Sequence, residues 1–310
     1  MAFSTPQVIK NFQKAISEDD LPELYKILMD ERQRLLLINL RDIIQKNLVS
    51  IQSRDEEEKL NAKMDDFFRR GAETKYLTQH QIEKLTLQVK VLAQFEYCKN
   101  EQIFKTFVSY TKDDNEHESD LMNLWNILQP GRIIKSRLSN EWQEIGFQGS
   151  DPATDFRGAG RHGLTQLMMI CHPDSIYYER AMAMYKDSTN MQHWYFFSVT
   201  GLNITQKITH LLKKNRLDAV LLQIAKSNTK GVLDYELMTP EVVNAIFDKW
   251  YFEVFYTFNE QWKNAKCDIM EFNQFIQRII EKDFLQNCQR WMQEVIYRIQ
   301  EKQSQARIKF

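Results

Sequence analysis

The chain has 310 residues with 41 basic and 42 acidic side chains, so its formal net charge is −1. This balance excludes the strongly basic surface that binding to nucleic acid or to an anionic membrane requires. Hydrophobic residues make up 43% of the sequence and aromatic residues 12%, which suffices for a core and excludes disorder of the whole chain. Glycine and proline are scarce, with nine and six residues. Because good helix formers are abundant, we expect an all-α protein built as a multi-helix bundle.

We expect neither a secretory signal peptide, a membrane span nor disulfide bonds. The first residues, MAFSTPQVIKNFQKA, lack the apolar core of a signal peptide, and no apolar run approaches the roughly 18 residues of a membrane span. The four cysteines (Cys98, Cys171, Cys267 and Cys288) are far apart and form no CxxC motif. We therefore expect a cytoplasmic protein with free thiols.

Residues 1–118 are predicted to form an N-terminal helical extension. Pro6 suits the first turn of a helix that ends near Ser17, and Asp20 and Pro22 suit the start of the next one. The charge run Ser53–Lys59 is expected to be solvated.

A long amphipathic helix is predicted between Thr78 and Tyr110. Its apolar residues recur at steps of three and four, at Ile82, Leu85, Val89 and Leu92.

The acidic run Lys112–Asp120 is the predicted domain boundary, with Ser119 or Asp120 as the N-cap of a helix over Leu121–Leu128. We expect the main domain to span 119–285 and a C-terminal helix and tail to span 286–310. Within these limits the spacing of apolar residues predicts further helices at 164–171, from Asp174 or Ser175, at 194–212, from Pro240, at 268–281 and at 284–303.

The stretch Trp125–Leu167 holds six of the nine glycines, namely Gly131, Gly146, Gly149, Gly158, Gly160 and Gly163. Since glycine tolerates positive φ and close backbone approach, the cluster predicts a long, elaborate, non-helical loop. The aromatic residues Trp125, Trp142, Phe147 and Phe156 are interpreted as anchors of this loop in the core. Its polar residues Gln148, Asp151, Asp155 and Arg157 are the candidates for function.

Common enzyme motifs do not fit this stretch. The glycines do not match a phosphate-binding loop, and Gly158-x-Gly160-x-x-Gly163 lacks the preceding strand of a dinucleotide site. The histidines lack zinc spacing, and Cys171–His172 is interpreted as a core thiol beside a surface imidazole. We predict neither a metal nor a cofactor.

The same stretch resembles the ELMO domain of the engulfment and cell motility proteins. The resemblance rests on Leu124–Trp125, Leu128 and Pro130, and on a second segment that begins at Trp142 and reads IGFQG, DP, TDFRG, then Gly160 and Gly163–Leu164. More than a dozen specified positions match. The resemblance extends over roughly 118–285 and is weaker after the glycine-rich stretch.

The resemblance implies a function in small-GTPase regulation. The long members of the family are scaffolds for Rac exchange factors, whereas the short members resemble GTPase-activating proteins for Arf-like GTPases. This chain is short and has no PxxP motif, so it resembles the short branch. The family's proposed catalytic residue, the arginine of DFRG, is Arg157 here. The implied partner is an Arf-family or Arf-like GTPase in its GTP form, which would also bring the protein to membrane surfaces.

Residue chemistry agrees with this role, because an arginine supplied in trans stabilises the charge of a transferring phosphoryl group. Asp151 and Asp155 are candidates to hold the guanidinium, and Gln148 to orient water. Phe156 is a candidate anchor and Gly158 a candidate pivot, whereas Gly160 and Gly163 are expected to support the loop or bind the partner. Arg137 and Arg161 are interpreted as surface charge.

Two alternatives remain open from the sequence. Arg157, which closely follows Asp151 and Asp155, also fits a structural ion pair that holds the loop together. A non-catalytic adaptor would use the same surface to link small GTPases or a Rac exchange factor to membrane traffic, the cytoskeleton and engulfment.

Overall fold

A computed structural model describes residues 6–30, 54–70, 77–227, 233–265 and 267–308. Within these ranges the chain forms helices and connecting segments without a β-strand, which confirms the prediction of an all-α fold. The α-helices are α1 (Pro6–Ser17), α2 (Leu21–Met29), α3 (Arg54–Arg70), α4 (Gln79–Lys105), α5 (Asn115–Leu128), α6 (Gly160–Cys171), α7 (Tyr178–Ser188), α8 (Phe197–Lys213), α9 (Asp218–Leu221), α10 (Pro240–Ala265), α11 (Phe272–Arg278) and α12 (Leu285–Ile308). Each helix in the described ranges is too short or too polar to cross a bilayer.

The chain forms two compact units. One comprises Met1–Glu101 with Asn215–Val243, and the other comprises Gln102–Lys214 with Asn244–Phe310. The predicted boundary at residue 118 lies inside α5, within the second unit. The division into 1–118, 119–285 and 286–310 stays a prediction.

In the first unit α1 packs on α2, whose N-cap is Asp20 as the sequence suggests. The buried Gln88 donates to the carbonyl of Ile16 at 2.9 Å, so α4 ties down the end of α1. Lys99 is also buried and lies 2.8 Å from the carboxylate of Asp218. Because a buried charge needs a partner, this ion pair fixes α9 against α4.

The charge run that begins at Ser53 is helical from Arg54 onward, as the first turns of α3. Its residues Asp55, Glu58 and Lys59 are exposed, and the apolar side of α3 is supplied later by Leu60, Met64 and Phe67.

The second unit starts its first complete helix earlier than the sequence suggested. The predicted N-cap at Ser119 or Asp120 is wrong, because the carboxylate of Asp114 accepts from the amides of Glu116 and His117 at 2.9 and 3.3 Å. His117 is buried, so the added turn is held by packing as well as by its cap. The acidic run is therefore part of α5 from Asn115 onward.

The closing helices also differ from the prediction of two separate ones. A π-helix at Ile279–Phe284 joins α11 to α12, with Ile279, Ile280 and Phe284 buried. The buried side chains keep the chain helical through the predicted break. The long helix α10 begins at Pro240 as predicted.

The glycine-rich stretch is held against the N-terminus of α8. Gly146 has φ of +83°, and its carbonyl accepts from the amide of Val199 at 3.0 Å. The hydroxyl of Ser198 donates to the carbonyl of Ile145 at 2.5 Å. A Cβ on Gly146 would lie 2.2 Å from the backbone nitrogen of Phe197, so only glycine fits this approach.

We expect Gly146→Ala to lower the free energy of unfolding by about 3 kcal/mol or more, or to prevent folding, because the methyl group would overlap backbone atoms that cannot move alone. Gly149→Ala is the matched control. Gly149 also has a positive φ, +70°, but nothing lies within 4 Å of its added Cβ, so its cost should be about 1 kcal/mol. Urea unfolding of both variants measures the difference, and equal losses would contradict the close-contact argument.

Candidate functional site

The glycine-rich stretch contains two short 3₁₀ helices, Asn140–Ile145 and Pro152–Arg157, rather than a loop without helical turns. Ser139 caps the first, since its hydroxyl accepts from the amide of Glu141 at 3.2 Å. Asp151 caps the second, with its carboxylate accepting from the amide of Ala153 at 3.0 Å. Short polar side chains at these positions stabilise short helices that the spacing of apolar residues does not reveal.

A row of aromatic side chains fixes these turns in the core. Trp125, Trp142, Phe147 and Phe156 are all buried. Neighbouring ring centroids along this row lie 5.5, 6.1 and 5.7 Å apart, a spacing typical of favourable aromatic pairs. The indole nitrogens of Trp125 and Trp142 donate to the carbonyls of Arg132 and Arg137, both at 2.9 Å. The row thus anchors the stretch by packing and by hydrogen bonds to its own backbone.

Phe156 extends the row to the segment before α5. The ring of Tyr110 stacks on Phe156 with centroids 4.3 Å apart, and the Tyr110 hydroxyl donates to Glu118 at 2.6 Å. Because Phe156 immediately precedes Arg157, this stacking fixes the backbone next to the candidate catalytic residue.

Arg157 is exposed and ends the second 3₁₀ helix. In the part of the chain that the structure describes, its guanidinium forms neither a hydrogen bond nor an ion pair. Gln148 is exposed as well, on the same stretch. The side chain of Arg157 is therefore accessible to another molecule.

The two aspartates bind other groups instead of Arg157. The carboxylate of Asp155 accepts from the amide of Gln148 at 2.7 Å, and burial raises the pKa of that carboxyl. Asp151 caps its own 3₁₀ helix and lies 3.0 Å from Arg137. Neither carboxylate forms a hydrogen bond or an ion pair with Arg157, although the nearby charge of Arg157 acts to lower the pKa of Asp155. The prediction that one of them holds the guanidinium is therefore not supported by this arrangement.

Arg137 forms the ion pairs that the sequence suggested for Arg157. It is partly buried, with its Nε 2.5 Å from Glu118 and its Nη1 3.0 Å from Asp151. It therefore joins α5 to the second 3₁₀ helix. The interpretation of Arg137 as simple surface charge is wrong. Its partners Glu118 and Asp151 are distant from it in the sequence, so the sequence alone did not reveal the ion pairs.

Arg161 is likewise more than surface charge. Its guanidinium lies 3.2 Å from Glu116 and 3.1 Å from Asp120, and its amide donates to the carbonyl of Val108 at 2.8 Å. These contacts fix the first turn of α6 to α5 and to the segment before it.

The three later glycines of the stretch differ in their roles. Gly160 has φ of +58° and lies against the backbone carbonyls of Thr106 and Val108, so a side chain would collide there. Gly163 is buried against Leu202 of α8. Gly158 has φ of −96°, which any residue adopts, and it lies beside the side chain of Gln206.

A cavity of about 390 Å³ lies beside this region of the second unit. It is lined by Lys105, Val108, Arg161, His162, Thr165, Asn244 and Asp248. Burial raises the pKa of Asp248 from 3.8 to about 6, opposed by Lys105 and by a hydrogen bond from Gln166. Burial lowers the pKa of His162 from 6.5 to about 4, and Lys105 adds to that shift. Sequence reasoning missed this pair, because the two residues are far apart in the chain.

The described residues contain no group of three or more His, Cys, Asp or Glu side chains placed to hold a metal ion. Cys171 is buried, and the adjacent His172 is exposed.

We expect Arg157→Ala to change the free energy of unfolding by less than about 0.5 kcal/mol, because the side chain is exposed and unpaired. Arg137→Ala should cost about 2 kcal/mol, since it leaves Glu118 without its cationic partner. Chemical unfolding of both variants makes the comparison. A large loss from Arg157→Ala would instead support the structural ion-pair interpretation.

We expect Asp248 and His162 to give opposite pH dependences of stability. The raised pKa of Asp248 means that its stabilising contribution is present below pH 3.8 and lost as pH rises through about 6. The lowered pKa of His162 means that stability is lost as pH falls from 6.5 through about 4.

Between about pH 4 and 6, the unfolding free energy of Asp248→Asn should therefore rise more steeply with pH than that of the parent protein. Over the same range, the difference between the unfolding free energy of His162→Gln and that of the parent should fall as pH rises. Urea unfolding at pH 4.5, 5.5 and 6.5 measures both slopes, and two variants parallel to the parent would refute the assignment.

Comparison with known proteins places the sequence of this region in a family. The model of the ELMO/CED-12 family matches residues 103–276, more than half of the chain. ELMO domain-containing protein 2 of Homo sapiens is 32% identical over 174 residues, which is 56% of this chain and 54% of that protein. ELMO domain-containing protein B of Dictyostelium discoideum is 34% identical over 181 residues, 58% of this chain and 55% of that protein.

The chain thus matches a little over half the length of these curated relatives. No solved structure matches it. The matched region includes the aromatic row, both 3₁₀ helices and Arg157. The chain belongs to the ELMO/CED-12 family.

Proposed function

We propose that this protein is a GTPase-activating protein for an Arf-family or Arf-like small GTPase, with Arg157 acting in trans on the bound GTP. The observation that carries the proposal is the exposure of the Arg157 guanidinium, free of ion pairs, on a short turn whose base is fixed. An arginine engaged by Asp151 or Asp155 would have to break that pair before it reached another molecule. Arg157 requires no such step.

The fixed base supports catalysis because an arginine contributes most when its position is set before the partner binds. Phe156 is buried between Phe147 and Tyr110, and Asp151 caps the turn that ends at Arg157. The backbone of the turn is therefore held by packing and by its cap, while the side chain of Arg157 is exposed to solvent.

Arg157 would stabilise the negative charge that develops on the transferring phosphoryl group. A guanidinium is planar, permanently charged and able to donate two parallel hydrogen bonds to phosphate oxygens. Such an arginine contributes about three to five orders of magnitude in rate in GTPases that receive one in trans. The metal ion in this reaction is the Mg²⁺ held by the GTPase, so the proposal needs no metal site on this chain.

The proposal places the protein in the cytoplasm, with access to membranes through its GTPase. The partner is the GTP-bound form, because only that form carries the phosphoryl group on which Arg157 acts.

We expect Arg157→Ala and Arg157→Lys to slow stimulated hydrolysis at least a hundredfold, since lysine keeps the charge but loses the planar donor pair. Single-turnover hydrolysis by a panel of GTP-loaded Arf-family and Arf-like GTPases, at saturating concentrations of each variant, measures the effect. Arg290→Ala is the matched control, because Arg290 is exposed on α12 and its ion pair among the described residues is a 4.0 Å contact with Glu294.

Stimulation that persists in Arg157→Ala would remove the catalytic role of this residue. Binding of the GTP-loaded GTPase without any stimulation would support a non-catalytic adaptor instead.

A further inference from the structure

Three large apolar side chains are exposed within five residues at the end of α4. Phe104, Phe107 and Val108 are 67%, 61% and 48% exposed, and the two phenyl rings meet edge to face with centroids 5.9 Å apart. We call these three residues the Phe104–Val108 patch. Scattered exposed apolar residues need no explanation, whereas a contiguous group of them is typical of an interaction surface.

The patch is attached to the turn that carries Arg157 on both sides of that residue. After Arg157, the amide of Arg161 donates to the carbonyl of Val108 at 2.8 Å, and Gly160 lies against the same carbonyl. Before Arg157, Phe156 stacks on Tyr110, two residues beyond the patch. The patch and the turn that carries Arg157 are therefore held together by direct contacts.

The exposed side of α8 connects the two features. Gln206, His210 and Lys213 follow one another at steps of four and three, which places them on the same side of the helix, and all three are exposed. Gln206 lies beside Gly158, next to Arg157. Lys213 lies with its Nζ 4.5 Å from the centroid of the Phe107 ring. Seven residues of helix span about 10 Å, so the turn and the patch lie about that far apart along this side.

This surface joins an apolar cluster to two cationic side chains, Arg157 and Lys213. A single exposed arginine supplies little affinity, whereas aromatic residues dominate the binding energy of most interfaces. A partner that brings a phosphate group to Arg157 needs a second contact to hold it there, and the patch is in place to provide one.

We infer that the Phe104–Val108 patch is the docking contact for the same GTP-bound small GTPase on which Arg157 acts. The inference rests on the proposed function and adds that binding and catalysis depend on different residues. The patch supplies affinity, Arg157 supplies rate, and the exposed side of α8 lies under the partner between them.

The test separates affinity from rate. The probe is the GTPase that the hydrolysis panel identifies as the most strongly stimulated, loaded with GTP and titrated with each variant under single-turnover conditions. We expect Phe107→Ala and the double variant Phe104→Ala/Phe107→Ala to raise the half-saturating concentration at least tenfold while the plateau rate stays within twofold. Arg157→Ala should lower the plateau rate and leave the half-saturating concentration within twofold.

Ile176→Ala is the matched control, since Ile176 is 78% exposed on a different segment of the second unit, and it should change neither quantity. Thermal unfolding of each variant verifies that it is folded.

An unchanged half-saturating concentration in the double variant overturns the docking inference, even where Arg157→Ala abolishes stimulation. A plateau rate that is insensitive to Arg157→Ala overturns the proposed catalytic role, whatever the patch variants do. The two ideas are read from different parameters, so each fails on its own evidence.

Discussion

The approach of Gly146 to the N-terminus of α8 is the constraint on which the rest of the candidate functional region depends. The carbonyl of Gly146 accepts from the amide of Val199, a first-turn group that has no partner within the helix, and the carbonyl of Ile145 accepts from the hydroxyl of Ser198. This contact brings the end of the first 3₁₀ helix against the first turn of α8. The buried Trp142 and Phe147 flank it, so packing and hydrogen bonding position the segment together.

Two arginines of this region have separate roles. Arg137 is partly buried and joins Glu118 to Asp151, whereas Arg157 is exposed and pairs with neither aspartate near it. The structural role falls to Arg137 because its partners lie on either side of it, one on α5 and one at the cap of the second 3₁₀ helix. With that role filled, the loop is stabilised without Arg157, and this is why an accessible guanidinium is compatible with a well-packed turn.

Membership in the ELMO/CED-12 family rests on the matched region, and the proposed GTPase-activating role rests on the exposed arginine within it. The docking inference extends the proposed role to a surface that no motif marks. Its aromatic residues lie at the end of α4, and their closeness to Arg157 follows from backbone contacts at Gly160 and Val108. The proposal thus assigns affinity for the GTPase and the rate of GTP hydrolysis to different side chains of the same region.

The sequence by itself determined the all-α fold, most of the helix positions and the family. Apolar spacing and capping residues act within a few positions, so α1, α2, α4 and α10 could be recognised locally. The glycine and aromatic pattern likewise located the stretch that holds the candidate functional residues.

Tertiary structure alone decided which charges are paired and which surfaces adjoin. Asp114 rather than Ser119 caps α5 because the buried His117 stabilises an extra turn, and Arg137 rather than Arg157 forms the ion pairs because its partners meet only after folding. The same holds for Asp248 and His162, whose shared cavity depends on contacts between distant segments. Spacing along a chain specifies local hydrogen bonds, whereas burial and pairing across helices are set by the packing of the whole unit.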